Sequence, residues 1–482
     1  MSVTAPSTRT AVVIGASFAG LLAAAAAARD GYRVTILERD LLPTTAEPRP
    51  GVPQGTQAHI LLHRGLLAIE SLLPGIERDL LDAGGVPFNT GQMPSLGDYG
   101  WMPQNDLAYD IISISRPLLE HLVRQRVLAL DDVTVREETR VSNLTRDGNR
   151  WQLHDRGDFL ANADVLIDAS GRSSRLPHWL TELGITVPEA VVVNSRLGYA
   201  GRRYRGRVPI HTGAVVFATA TEQTGALVLP IENGDWLVCA AGYGEHRPDR
   251  DNEEFEPFLD AVRDPVVADI ARRLEPQGDV AIHRQTANRR IPYGSSRDWP
   301  AGLFVVGDAM CAFNPVYGQG ITVAASQAQL LRPALTRFDG SARTTRRIQR
   351  RLGAVTNLPW AVSTSEDTRI VDPDRRRTPV ERATGWWTAR MVALAAGGDT
   401  ASIRAFARVY HLMGTPLLMF SPAVVRSIVG SLGRPLPPPG PRPEVLAELT
   451  LAPFDKLREL GGGIAQGAVQ RVPGSGRTPS TK

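Results

Sequence analysis

Lysine is almost absent from this 482-residue chain. It occurs only at Lys456 and Lys482, so the other 52 of the 54 basic residues are arginine, which we read as the coding bias of a GC-rich genome. Cysteine is as scarce, with Cys239 and Cys311 alone. Two cysteines exclude a disulfide scaffold and a cysteine-built metal site, and no metal is expected. Charge of one sign is not in large excess: the net charge is +4 and the pI about 9.2, too mild to imply nucleic acid. Long apolar runs are missing too. The best candidate, residues 11–28, is broken by Gly15 and Gly20, ends in alanines and meets Arg29–Asp30, with only Arg9 as positive charge before it. A membrane span needs about 20 strongly apolar residues and a secretory signal needs a basic start. The expectation is a soluble, cytoplasmic protein without stable membrane insertion. A hydrophobic fraction of 43% in a chain this long fits two or three packed units.

The same run 11–28 is informative for what it contains. Ala11-Val-Val-Ile reads as a strand, Gly15-Ala-Ser-Phe-Ala-Gly20 as a tight turn, the alanine run as a helix, and Arg33 to Leu37 as a second strand ending at Glu38. Gly15 permits the turn. Ala16 and Ser17 let backbone approach a pyrophosphate, although Ser17 stands where the usual motif has its middle glycine. Gly20 lets the helix pack closely, and the helix N-terminus offers free N–H groups to phosphates. Glu38, 18 residues after Gly20, can accept from a ribose hydroxyl.

Further along, 42–57 is a polar, proline-bearing loop and 60–83 has helical periodicity. Residues 84–109 form a loop rich in Gly, Pro and aromatics. A strand then runs into a helix near Ser115-Arg116-Pro117, with proline well placed in the first turn. Short strands cover 133–145 and 150–156, and a buried strand covers 163–169. Period-two alternation over 190–243 predicts an antiparallel sheet with one solvated face. A helix is expected at 254–274. Beyond 340 the pattern is helical, and its arginine clusters at 343–351 and 373–377 read as solvated faces. Gly461 to Gly467 resembles a phosphate loop but follows a helix, which makes it a decoy, and 471–482 reads as a disordered tail.

A second motif spans Val305 to Gly320. Gly307 turns the chain off a strand, and Asp308 can accept from sugar-alcohol hydroxyls. Pro315 fixes a bend. Gly318 and Gly320 open a helix at 319–336 whose N-terminus would stabilise negative charge on a reduced flavin ring.

Taken together, the two motifs resemble the FAD-dependent monooxygenases of the para-hydroxybenzoate-hydroxylase fold. Arg49-x-Gly-Val-Pro-Gln54, Ala58-His-Ile-Leu, Leu229-Pro-Ile-Glu-Asn-Gly-x-Trp236 and Ala287-Asn-Arg-Arg290 are similar to bacterial flavin-dependent epoxidases of polyether and polyene pathways, near the squalene epoxidases. The likeness covers about 10–335 well. It implies an α/β fold: a Rossmann-like FAD-binding domain in three parts (1–83, 110–184 and 283–340), a substrate-side loop at 84–109, an inserted antiparallel-sheet substrate domain at 185–282, a C-terminal helical region at 341–470 and the tail. It implies that Gly15, Ala16, Ser17, Phe18, Ala19 and Gly20 hold the FAD pyrophosphate and Glu38 the adenosine ribose, with Arg39 by the adenine. Gln54 joins the flavin-proximal loop. Arg116 contacts phosphate or ribityl, Val141 offers backbone to adenine, Asp308 binds ribityl or phosphate oxygens, and Pro315, Gly318, Gln319 and Gly320 flank the ring.

Two departures stand out. Ser170 replaces the aspartate of the family's Asp-Gly motif, which touches nicotinamide handling. Gln54-Gly-Thr-Gln-x-His59 replaces a run richer in arginine and histidine. The implied reaction inserts one atom of dioxygen into a small apolar substrate, with electrons from NADPH, NADH or a separate flavin reductase. Epoxidation of a polyketide or terpenoid alkene ranks first and aromatic hydroxylation second. A halogenase, which needs a lysine beside the flavin, ranks below both, and a non-oxygenating reductase-like protein is the remaining reading. No catalytic acid or base is assigned. His59 is a candidate for hydrogen bonding near the flavin, as readily a structural histidine.

Overall fold

The computed structural model describes residues 9–208 and 210–444. Gly461 to Gly467 and the tail at 471–482 therefore lie outside the described residues.

Apolar residues at every position of a short strand require cover on both faces, and the N-terminal unit supplies it. Strand β1 (Thr10–Ile14) leads into helix α1 (Phe18–Ala28) and strand β2 (Arg33–Leu37). Helix α2 (Arg116–Leu128) and strand β3 (Val133–Arg136) follow, then strand β4 (Val165–Asp168). Three long antiparallel strands come next: β5 (Gly198–Arg205), β6 (Thr224–Pro230) and β7 (Asp235–Gly242). Strand β8 (Leu303–Val305) returns the chain to the first unit, and helix α3 (Gln319–Thr336) packs along α1. Helix α4 (Asn357–Val371) belongs to the C-terminal helical region.

The parallel sheet has the order β8-β4-β1-β2-β3. Val12 lies opposite Leu166 on one side and Thr35 on the other. The run that could have been mistaken for a span is thus split into a central strand and a buried helix. No helix among the described residues is long and apolar enough to cross a membrane.

The second sheet has seven strands, with β5 and β6 on either side of β7. Its register sorts side chains by face. Ala200, Val228, Trp236, Val238 and Ala240 point to the rear and pack on Phe255, Leu259, Val266 and Ile270 of two short helices. Tyr199, Gly201, Gly225, Leu227, Cys239 and Ala241 share the front. Both faces are covered near the middle of this sheet, so the solvated face expected from period-two alternation is replaced there by a second packed face.

Four expected elements differ in detail. The segment 84–109, expected as a loop, carries short strands at Val86–Asn89, Ser95–Gly97 and Gly100–Trp101, the last two at the edge of the seven-stranded sheet. The helix over 60–83 is broken into His63–Leu72 and Ile76–Asp82, because Pro74 cannot continue it and Gly75 turns left-handed at φ +89°. The helix over 254–274 is likewise two pieces, Phe255–Asp260 and Val266–Ala271, divided by Asp264-Pro265. The short strands expected over 133–145 are Val133–Arg136, in the parallel sheet, and Asn143–Asp147, in a separate three-stranded antiparallel sheet.

Candidate cofactor site and the facing cleft

β1 ends at a turn that only glycine makes without strain. Gly15 has φ +101°, and a Cβ there would stand 2.7 Å from the Ala169 carbonyl oxygen. Gly20 is required by contact, since its Cβ would fall 1.8 Å from the Gly15 oxygen. Ser17 starts α1, yet its hydroxyl does not cap the helix. It donates to Glu120 Oε2 at 2.9 Å instead, leaving the first-turn N–H groups uncapped by any side chain. Ala16 and Phe18 are buried here.

Arg116 enters the same corner. Ser115 caps α2 by accepting from Leu118 N, so the guanidinium is carried by a fixed first turn. It lies 5.1 Å from the Phe18 ring centre, donates to Ser17 Oγ at 3.2 Å and pairs with Glu120 at 3.6 Å. Its Nε is buried without a partner. Burial lowers the Arg116 pKa against the pull of Glu120 and Asp308. A buried cation with an unused donor beside an uncapped helix start is what an anionic group would satisfy.

Glu38 ends β2. It accepts from Ala16 N at 2.7 Å and Asp40 N at 3.0 Å, and meets Arg49 at 3.2 Å. Three of about four acceptor positions are thus taken, leaving one for a hydroxyl. Thr139 N donates to the Glu38 carbonyl at 2.8 Å, which lays the segment holding buried Val141 along this edge. Arg39 is half exposed and reaches only Asp40, at 3.7 Å.

Arg49 is the residue that sequence reasoning passed over. Its motif was visible, but no role attached to it. Only 7% exposed, it bridges Glu38, Asp40 (3.2 Å) and Glu120 (3.0 Å). Burial opposes the charge, but the carboxylates of Glu120 and Glu38 hold its pKa above the ordinary value. Gln54, in the 3-10 turn Pro53–Thr56, is partly exposed, and buried Gln57 anchors this loop by donating to the Ala281 carbonyl at 2.8 Å.

The second motif meets the first directly. A Cβ on Gly307 would lie 2.6 Å from the Ala19 Cβ. Asp308, about one-third exposed, pairs with Arg172 at 3.6 Å. Arg172 also donates to the Ala287 carbonyl at 2.7 Å and to the Phe313 carbonyl, tying three segments around Asp308. Ser170 donates its hydroxyl and its N–H to Asp168, which also accepts from Ser174 Oγ. The serine at the family's aspartate position therefore serves as a partner for a fully buried carboxyl whose pKa burial raises.

Pro315–Tyr317 form one 3-10 turn, Gly318 is left-handed, and α3 starts uncapped at Gln319. A Cβ on Gly320 would meet nothing within 4 Å, and the buried Gln319 Oε1 has no partner. Ile60 lies against Gly318, bringing the 58–60 segment over this loop. His59 Nδ1 sits 2.8 Å from the Gln57 carbonyl. Burial, reinforced by Arg116, pulls its pKa to about 3, so it is neutral and a poor proton acceptor. His283, also lowered by burial and then by Arg172, stands nearby.

Across from this loop is the front of the antiparallel sheet. Ala241 and Tyr199 pack near Val316, Leu227 packs near Ala58 and Ile60, and Ala58 N points at Cys239 Sγ. Burial pushes the Cys239 thiol to about 11, so it is no nucleophile. The open cavity of about 580 Å³ lined by Arg64, Gln329, Leu330, Leu358, Leu412 and Pro416 lies elsewhere and touches neither motif.

Two glycine turns in contact, two uncapped helix starts, an under-used buried arginine and a ribose-ready carboxylate fit a dinucleotide carrying a ring system, and define an FAD-binding protein. The profile of the family described as "FAD binding domain" matches residues 8–346, and the chain belongs to that family. It is a flavin-dependent enzyme of this monooxygenase-like group. Protein Rv3254 of Mycobacterium tuberculosis is 34% identical over 345 residues, 67% of this chain and 72% of that relative. Among solved structures, a flavoprotein/dehydrogenase from Cytophaga hutchinsonii superposes with TM-score 0.62 at 15% identity, covering 87% of this chain and 100% of that one. PqsL, a probable FAD-dependent monooxygenase from Pseudomonas aeruginosa, gives 0.57 at 18% identity, covering 76% and 97%. The myxobacterial chondrochloren halogenase CndH gives 0.58 at 17%, covering 85% and 98%. These three likenesses establish a shared fold.

Proposed function

We propose that this enzyme is an FAD-dependent monooxygenase that places one atom of dioxygen across an alkene of a polyketide or terpenoid, giving an epoxide. When bound and reduced, the flavin supplies the activation of dioxygen. The chain's own residues do the rest. Arg116, the α1 N-terminus and Glu38 hold the phosphate and ribose end. Asp308, set by Arg172, receives hydroxyls of the ribityl chain. The uncapped start of α3 faces the ring.

The observation that supports the reaction class is the make-up of the sheet front that faces the 58–60 and 315–318 segments. That front is Tyr199, Gly201, Gly225, Leu227, Cys239 and Ala241, small or apolar except for one phenol. An alkene needs no base, whereas a phenol gains from one. His59 is held neutral with a pKa of about 3, and the sequence puts no lysine between residues 1 and 455. The apolar wall also keeps water from the oxygen-activating centre.

The test is turnover under oxygen-18 with NADPH, NADH or a flavin reductase as electron source. Label in an epoxide or its diol supports the reading. Label confined to a new ring hydroxyl on a phenolic polyketide moves the enzyme to the aromatic hydroxylases.

A further inference from the structure

Among the six residues on the front of the sheet Tyr199 alone carries a hydroxyl, and the network behind it fixes which way its hydrogen points. Backbone N–H groups only donate, so they settle the amides first. Val316 N donates to Asn314 Oδ1 at 2.9 Å, which leaves Asn314 Nδ2 to donate to Asp367 Oδ1 at 2.6 Å. Asn314 N donates to Asn288 Oδ1 at 2.7 Å, so Asn288 Nδ2 donates to Asp367 Oδ2 at 2.6 Å. Ser363 Oγ donates to Asn288 Oδ1 at 2.7 Å, and Tyr243 OH adds a longer donation to Asp367 Oδ1 at 3.4 Å. Donors face both oxygens of Asp367, which is fully buried on α4, outside the segment that the family profile matches.

Asn314 Oδ1 therefore has no hydrogen to give, and Tyr199 OH, 3.1 Å away, must be the donor. A phenol has one hydrogen. Once it is committed to Asn314, the oxygen has only lone pairs left to offer a ligand. Burial pushes the Tyr199 phenol well above its usual range, so it keeps that hydrogen.

We propose that Tyr199 is the anchor for a hydroxyl on the substrate, accepting its hydrogen, and that Asp367 is the positioning residue that gives Tyr199 this polarity. The substrate class is then an alkenol rather than a bare hydrocarbon or an ether. The inference rests on the reading of the cleft as the alkene site.

The probes are farnesol and farnesyl methyl ether, titrated into FAD-loaded enzyme and followed by the change in the flavin absorption bands. Farnesol should bind roughly tenfold more tightly than the ether, the worth of one satisfied buried hydrogen bond. Tyr199→Phe should bring the two dissociation constants within about twofold of each other. Asp367→Asn should do the same. Its NH₂ must face one of the two asparagine amides, and turning Asn314 releases the Tyr199 hydrogen toward the cleft. A merely structural Asp367 would weaken both probes alike and leave their ratio unchanged. Should Asp367→Asn fail to hold FAD, the Tyr199→Phe ratio decides alone. Equal binding by the wild type, no binding of either probe, or a preference that survives Tyr199→Phe overturns the proposal. Labelled epoxide from both probes without any binding preference would sink the anchor and leave epoxidation standing. A binding preference without epoxide would do the reverse.

Discussion

Arg49→Ala should be among the most damaging single changes outside the hydrophobic core. The side chain reaches Glu38 and Asp40 at 3.2 Å and Glu120 at 3.0 Å, and two of these carboxylates, Glu38 and Glu120, are 5% exposed. Removing the cation leaves both buried and short of partners. Breaking such a pair costs about 3–5 kcal/mol, more than the cation itself contributes when its burial is counted. In a unit of this size that corresponds to a fall in melting temperature of roughly 5–10 °C. The assay is thermal unfolding of FAD-free protein, so that lost cofactor does not contribute. FAD affinity, measured separately by flavin fluorescence, should fall as well, because Glu38 would no longer be held at the edge of β2. Arg49→Lys keeps the charge but not the fork that serves three carboxylates, and should recover only part of the loss. A melting temperature for Arg49→Ala within a degree or two of wild type would refute the reasoning.

Other changes follow from the same geometry. Gly15→Val should abolish FAD binding and yield little folded protein, since a side chain collides with the Ala169 carbonyl and the backbone is left-handed; normal yellow colour would defeat this. FAD should be released completely by acid precipitation, as no cysteine or histidine is poised for covalent attachment, and colour remaining in the pellet would contradict it. Glu38→Ala and Asp308→Ala should each weaken FAD roughly ten- to a hundredfold, with Glu38→Ala also destabilising FAD-free protein because Arg49 loses a partner. His59 has a folded pKa near 3 against an ordinary value of 6.5. Its contribution to stability is therefore complete above about pH 6.5 and is lost as pH falls toward 3, at up to about 1.4 kcal/mol per pH unit. Melting temperature should decline between pH 6.5 and 4, and His59→Gln should make that slope shallower; an unchanged slope would mean the histidine is not held neutral by its surroundings.

Local chemistry was legible in the sequence wherever a few adjacent residues decide the outcome. Ser115-Arg116-Pro117 announces a helix start, and Ser115 caps α2 in the structure. The turn at Gly15 and the helix at 319–336 follow from glycine placement in the same way. Breaks inside apolar patterns were harder to see. Pro74-Gly75 and Asp264-Pro265 interrupt helical spacing that is otherwise continuous, so both helices were read as single pieces. Long-range polar partners were out of reach. Arg49 meets Glu120 across 71 residues, and Asp367 meets Asn288 across 79. Nothing near Asp367 marks it out, because a carboxylate between Glu366 and Arg369 in a polar helix looks like one more surface charge. Its role appears only when the asparagines of two distant segments are brought against it.

The contact between Gly307 and Ala19 carries a consequence for how the enzyme is made. The two turns proposed to hold the cofactor are separated by more than half of the chain, and strand β8 joins the parallel sheet only beside β4. A ribosome would release the first turn long before the second exists. The whole antiparallel sheet must emerge, and its ends must close a loop of more than a hundred residues, before Asp308 and the α3 start reach α1. Such non-local pairing is slow and leaves apolar strand edges exposed in the interim. Cofactor capture should then be a late event in the enzyme's birth, and truncation between about residues 283 and 336 should leave a chain that makes the sheet wall but holds no flavin.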